Sequence, residues 1–100
     1  MAKALAAAIG LVSIAAAVTA SAASGQPPPG AAACSGCHPT SAGVNTPVVR
    51  LAGLERDAIV RALQEFRSGQ RAGTIMDRIA KGFTDEEIQA LAAWFAAQPK

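Results

Sequence analysis

The sequence predicts an all-α fold. No stretch of the 100 residues alternates apolar and polar side chains as a half-buried strand does. Two stretches instead repeat apolar residues every three or four positions, which is the spacing of one buried helix face. The second stretch opens with Thr84-Asp85-Glu86-Glu87, a pattern typical of a helix N-terminus. A small helical domain therefore fits the sequence best.

The N-terminus resembles a secretory signal. Lys3 precedes an apolar run from Ala4 to Val18, and small residues follow up to Ala22; these are the positive, hydrophobic and cleavage regions of such a signal. The run is shorter than the roughly 20 residues of a membrane-spanning helix, so an uncleaved anchor is the less favoured alternative. We predict a signal peptide over residues 1–22, export to the periplasm and no stable membrane span.

A Pro-rich leader is predicted over residues 23–30. Three consecutive prolines ending at Pro29 fix φ and remove backbone donors, which favours an extended, solvated segment. The alanines from Ala31 onward then predict one or two helical turns, up to Cys37. The folded domain is expected to span residues 31–100.

Turn-forming residues fill the segment from Pro39 to Pro47, which predicts a loop. A helix is predicted from Glu55 to Ser68, and Gly69 is placed to end it. Its predicted apolar face consists of Ile59, Ala62, Leu63 and Phe66.

The remainder predicts two more helical pieces. A short one runs from Met76 to Lys81 and ends at Gly82. The last begins with a capping box, in which the Thr84 hydroxyl and the Glu87 carboxylate each satisfy a free backbone donor. Its buried stripe is predicted to be Ile88, Leu91, Ala92 and Phe95.

Composition excludes one class of partner and requires an additional source of stability. The formal charge of +2, with three Phe and one Trp, provides neither the basic surface nor the stacking residues of a nucleic-acid binder.

A domain this small buries only about 60% of the surface that its unfolded chain exposes. A disulfide, a metal or a bound cofactor is therefore expected to stabilise it.

The residues from Cys34 to His38 read Cys-Ser-Gly-Cys-His, the signature of c-type haem attachment. Thiols one helical turn apart can each form a thioether with a vinyl group of the porphyrin, and the adjacent imidazole is then the proximal iron ligand. We predict one covalent haem c held by Cys34 and Cys37, with His38 on the iron. A disulfide or redox-active dithiol, or a zinc site completed by a carboxylate, are the alternatives.

Met76 is the predicted sixth ligand of the iron. It is the one methionine left after the predicted signal is removed, and a soft neutral thioether suits an electron-transfer haem. Lys81 or an open site are the alternatives, and Met76 could also be ordinary core filler. With both axial positions filled, the expected chemistry is outer-sphere transfer of one electron.

Pro47 is a candidate for orienting the proximal histidine. A ligating histidine usually donates its second N–H to a backbone carbonyl or a carboxylate, and the Pro47 carbonyl lies in the following loop. A plain loop proline is the alternative. The predicted pocket and core residues are Leu51, Leu54, Ile59, Leu63, Phe66, Ile75, Ile79, Ile88, Leu91, Trp94 and Phe95.

These motifs resemble the small class I cytochromes c. The segment from Pro47 to Leu54 looks like the Pro-x-x-x-Leu-Ala-Gly stretch of the relatives of cytochromes c4 and c5. The run from Phe66 to Phe95, with Met-x-Arg-Ile-Ala-Lys-Gly starting at Met76, looks like the cytochrome subunit of flavocytochrome c sulfide dehydrogenase. The resemblance implies a class I cytochrome c fold wrapped round one haem, with a truncated N-terminal helix.

The resemblance also implies partners. In that family a periplasmic FAD-containing subunit oxidises sulfide, and the cytochrome passes the electrons to a soluble cytochrome c or a similar acceptor. FAD is then expected only in the partner subunit. A free periplasmic shuttle cytochrome, a thiol-disulfide oxidoreductase and a haem peroxidase are the competing interpretations.

Overall fold

A computed structural model describes residues 25–100 of the chain, which contain four helices and no strand. The helices are α1 (Ala31–Ser35), α2 (Arg56–Ser68), α3 (Met76–Ala80) and α4 (Asp85–Ala96). The all-α prediction is confirmed. The predicted signal, residues 1–22, lies outside the described residues. Within residues 25–100, none of the helices has the length and apolar character needed to cross a membrane.

The helix ends follow the local signals in the sequence. Gly69 ends α2 at a φ of 83°, and its N–H donates to the Phe66 carbonyl at 3.3 Å. Thr84 caps α4, because its hydroxyl accepts from the Glu87 N–H at 3.2 Å; this is the first of the two bonds of the predicted capping box. The segment from Pro39 to Pro47 contains no helix, as predicted.

Arg67 ties the end of α2 to the start of α4. Its guanidinium donates to the Phe83 carbonyl at 3.2 Å and forms an ion pair with Asp85 in the first turn of α4. In addition to these contacts, α2 packs against both α3 and α4. It thereby positions the last three helices relative to one another.

The core lies between α1, α2 and α4. Its buried side chains are Ala31, Ile59, Val60, Ile88, Leu91, Ala92 and Phe95, with Leu51, Leu63 and Trp94 packed half-buried against them. Three residues predicted as core or pocket, Leu54, Ile75 and Ile79, are among the exposed large hydrophobic residues. They lie outside the buried core because Leu54 is in a loop and the five-residue helix α3 buries only Ala80; the other part of the same prediction, a place in a haem pocket, stays a prediction.

Gly30 lets α1 approach the rest of the domain. Its φ is +93°, and a Cβ built there would lie 2.6 Å from the ring of Phe83 and 3.7 Å from Leu91. The last residue of the predicted leader thus packs against the domain rather than serving as a solvated spacer. This contact fixes the position of α1, which carries Cys34.

We expect Gly30→Ala to lower the free energy of unfolding by roughly 1–3 kcal/mol more than Gly69→Ala, since overpacking costs about that much. Both glycines have positive φ, so both variants carry backbone strain, but a Cβ at Gly69 meets nothing within 4 Å. Urea unfolding of the two variants measures the difference. Equal losses would show that the Phe83 ring moves aside freely and that Gly30 is needed only for its backbone conformation.

Candidate haem-attachment site

The two cysteines lie one helical turn apart at the end of α1. The N–H groups of Cys37 and His38 both donate to the Cys34 carbonyl, at 3.2 and 2.9 Å, so the backbone makes one further turn beyond Ser35. Cys34 is half-buried against the core, Cys37 is exposed, and both are free thiols. This is the spacing that two thioether bonds to one porphyrin edge require.

The environment of Cys34 disfavours redox-active thiol chemistry. Burial raises the pKa of the Cys34 thiol above its ordinary value, and a backbone hydrogen bond opposes this only in part. The nucleophilic cysteine of a thiol oxidoreductase has the opposite shift, because the thiolate is the reactive species. Cys34 is therefore protonated at neutral pH and is better suited to being an anchor than a nucleophile.

His38 is oriented by a backbone carbonyl from the loop that follows it. Its Nδ1–H donates to the Val49 carbonyl at 2.5 Å. Because a carbonyl only accepts, Nδ1 must carry the proton, and the lone pair of neutral imidazole then lies on Nε2. His38 thus has the tautomer that a metal ligand bound through Nε2 requires.

The predicted role of Pro47 is not what the structure shows. The carbonyl at His38 belongs to Val49, two residues further along the chain. The Val48 N–H donates to the Thr46 hydroxyl at 3.2 Å, which makes a local turn with Pro47 exposed at its outer side. A loop carbonyl does orient His38, as predicted, but it is the carbonyl of Val49 and not that of Pro47.

A cavity of about 220 Å³ adjoins His38. Its lining comprises His38, Pro39, Thr40, Arg50, Leu51, Ala52, Trp94, Phe95, Gln98 and Pro99. Two donors of lining residues, Arg50 Nε and Trp94 Nε1, are shielded from solvent and lack an acceptor within the described part of the chain. His38 lines this cavity and directly follows Cys37, and two thiols with an adjacent imidazole are the donor set that fits a covalently attached haem.

Met76 is the first residue of α3 and is half-buried. It is not among the residues that line the His38 cavity. Cys34, Cys37 and His38 thus lie within one turn of the backbone, whereas Met76 belongs to a separate helix, α3. Around the two segments that carry His38 and Met76, the exposed large apolar side chains are Val44, Val48, Val49, Leu54, Ile75 and Ile79. The three valines are not among the pocket residues predicted from the sequence.

The zinc alternative lacks ligands in the structure. Among residues 25–100, no group of three or more His, Cys, Asp or Glu side chains is arranged to hold a metal ion. Two cysteines and one histidine would need a carboxylate to complete a structural zinc site. The geometry therefore supports haem attachment as the function of the Cys-x-x-Cys-His motif.

Comparison with known proteins identifies the class. No family model matches the chain. It is 37% identical over 68 residues to cytochrome c4 of Thiocapsa roseopersicina, covering 67% of this chain and 35% of that protein. With the helical fold and the Cys-x-x-Cys-His site, this similarity makes the chain a class I c-type cytochrome, a class whose cofactor is haem c.

Two further relatives have more specific names. The chain is 39% identical over 62 residues to the cytochrome subunit of sulfide dehydrogenase of Chlorobaculum tepidum, covering 62% of this chain and 56% of that protein. It is 40% identical over 75 residues to the thiosulfate dehydrogenase electron acceptor of Stutzerimonas stutzeri, covering 71% of this chain and 34% of that one. The chain thus spans from a third to just over half of the length of these curated relatives.

Proposed function

We propose that the chain is a periplasmic electron-transfer cytochrome that carries one haem c. Cys34 and Cys37 would tether the ring, and His38 and Met76 would hold the iron. Its electron donor is an FAD-containing subunit that oxidises sulfide, and its acceptor is a soluble cytochrome c or a similar protein. The observation that carries the proposal is the hydrogen bond of His38 to Val49, which leaves Nε2 free for iron beside two free thiols.

Each residue has a distinct part in this mechanism. Haem iron, when bound, supplies reversible one-electron oxidation. Cys34 and Cys37 would hold the ring in one place through thioether bonds, and Val49 holds the His38 imidazole in one orientation, so little reorganisation would accompany a change of charge. Met76 would supply a second protein ligand to the iron and so keep substrates from coordinating it.

The exposed apolar side chains support Met76 as the sixth ligand. Ile75, directly before Met76, is 57% exposed, although an isoleucine of a small domain is usually buried. Val48 and Val49, in the segment whose Val49 carbonyl contacts His38, are likewise exposed. A porphyrin between these two segments would cover apolar surface on both, and Met76 is the residue of the second segment that carries a suitable ligand atom.

A visible spectrum of the protein matured in the periplasm tests the haem assignment. We expect covalent low-spin haem, retained after denaturation in acid, with the methionine charge-transfer band in the oxidised form. The double variant Cys34→Ala, Cys37→Ala is the control, because it retains His38 and Met76 but cannot form thioethers. A colourless protein, or one whose two sulfurs are joined as a disulfide, would refute the proposal.

Co-purification tests the proposed donor. Similarity to the cytochrome subunit of sulfide dehydrogenase supports a stable partner subunit, and the resemblance to flavocytochrome c implies that this subunit carries FAD. The cytochrome isolated from its own organism is then expected to retain an FAD protein at raised salt, and added sulfide should reduce the haem. Similarity to the thiosulfate dehydrogenase electron acceptor favours the alternative, a free shuttle. Isolation of a flavin-free cytochrome that sulfide fails to reduce would establish that alternative.

A further inference from the structure

The carbonyl that orients His38 belongs to Val49, and the contacts of Val49 alone do not hold its backbone in place. Val49 lies outside every helix, so its backbone has no place in a helical hydrogen-bond ladder. Its side chain is 56% exposed and contributes little packing that would hold the backbone in place. The position of this carbonyl must therefore be set by neighbouring residues.

Arg50, the next residue, provides a long-range anchor. Its guanidinium donates through Nη2 to the Pro99 carbonyl at 2.9 Å, across a separation of 49 residues. The side chain is half-buried, and its Nε is shielded from solvent. The guanidinium thus fixes the backbone beside Val49 against the chain that follows α4.

The other hydrogen bonds of this segment are poorer candidates for the same role. The bond from Val48 to Thr46 lies within the loop and moves with it. The Gly53 N–H donates to the Phe95 carbonyl at 3.0 Å, but Gly53 is four residues from Val49, within the turn that the bond from the Leu54 N–H to the Leu51 carbonyl closes. Apart from the bond to His38 itself, the bond from Arg50 to Pro99 is the long-range hydrogen bond nearest to Val49 along the described chain.

We propose that Arg50 is a positioning residue for the proximal iron ligand. Its bond to Pro99 holds the Val49 carbonyl on His38 Nδ1, and this hydrogen bond makes the imidazole a stronger electron donor. A stronger donor stabilises oxidised iron and lowers the reduction potential. The inference rests on the proposed function, because it requires His38 to be the ligand.

The sign of the change in potential separates this role from a simple charge effect. Arg50→Met removes the donor and retains most of the apolar stem. If the bond from Arg50 to Pro99 holds the Val49 carbonyl in place, its loss weakens the hydrogen bond to His38 and the reduction potential rises. If Arg50 acts only through its positive charge, removing that charge stabilises oxidised iron and the potential falls.

The test measures the midpoint potential of the haem-loaded protein, and the solvent exchange of the His38 Nδ1–H by NMR. We expect Arg50→Met to favour reduction by at least about threefold, or about 28 mV for one electron, and to accelerate the exchange. Arg50→Lys, which keeps the charge and a donor, should remain nearer to the parent protein. Arg56→Met is the charge-matched control, because the Arg56 guanidinium contacts Gln89 and Asp57 rather than Pro99.

The outcomes distinguish the two proposals. Absence of covalent haem from the unmodified protein would refute the proposed function. Arg50→Met could instead show normal low-spin haem, a lowered or unchanged potential and unchanged exchange of the His38 Nδ1–H. That result would overturn the positioning role of Arg50 and leave the proposed function intact. Should Arg50→Met yield no haem protein, Arg50→Gln replaces it in the same comparison, because the glutamine amide is polar but too short to reach Pro99.

Discussion

Replacing Met76 with alanine is expected to remove the methionine charge-transfer band of the oxidised protein while the haem stays attached to Cys34 and Cys37. The midpoint potential should fall, because a soft neutral thioether favours ferrous iron and its loss favours the ferric state. Axial ligands span about 0.8 V among haem proteins, so we expect a decrease on the order of 100 mV or more. Visible spectroscopy and a redox titration measure the two effects.

Ile75→Ala is the matched control for this experiment. Ile75 is adjacent to Met76 and exposed, and its truncation leaves the thioether intact. The Met76 variant should bind added carbon monoxide readily, whereas the control should not, because its iron has no open position. If the band and the potential survive in Met76→Ala, Met76 is not the ligand, and Lys81→Ala then tests the alternative.

The helix ends were predictable because their signals are local. Gly69 at the end of α2 and Thr84 at the start of α4 act through atoms within three or four residues of themselves. The burial of α3 was not predictable in this way. Ile75 and Ile79 have helical spacing, but spacing alone does not say whether a five-residue helix turns that face toward the core.

The site shows the same division between local and tertiary information. Cys34, Cys37 and His38 follow one another within a single turn, so their motif could be recognised directly. The acceptor for His38 depends on how the chain folds across a separation of eleven positions, and the prediction of Pro47 in place of Val49 reflects that. The bond from Arg50 to Pro99 joins two irregular segments with no sequence signal that relates them.

Leu91→Ala is expected to give the largest loss of stability in the domain. Leu91 is 2% exposed and lies in the core shared by α1, α2 and α4, next to Gly30. Truncating a buried leucine costs about 2–5 kcal/mol through lost transfer energy and the cavity left behind. Domains are stable by only about 5–15 kcal/mol, so this is a large share of the total. Denaturant unfolding of the haem-loaded protein measures the change.

Leu54→Ala removes the same atoms from a side chain that is 37% exposed, so its loss should be smaller. Neither leucine carries a ligand atom, and Leu91→Ala should therefore keep the low-spin spectrum while α1 is held less firmly. Since α1 carries Cys34, the yield of covalent haem during maturation should fall with stability. Equal losses for the two variants would contradict this expectation, because they would show that packing at the exposed loop contributes as much as the core of α1, α2 and α4.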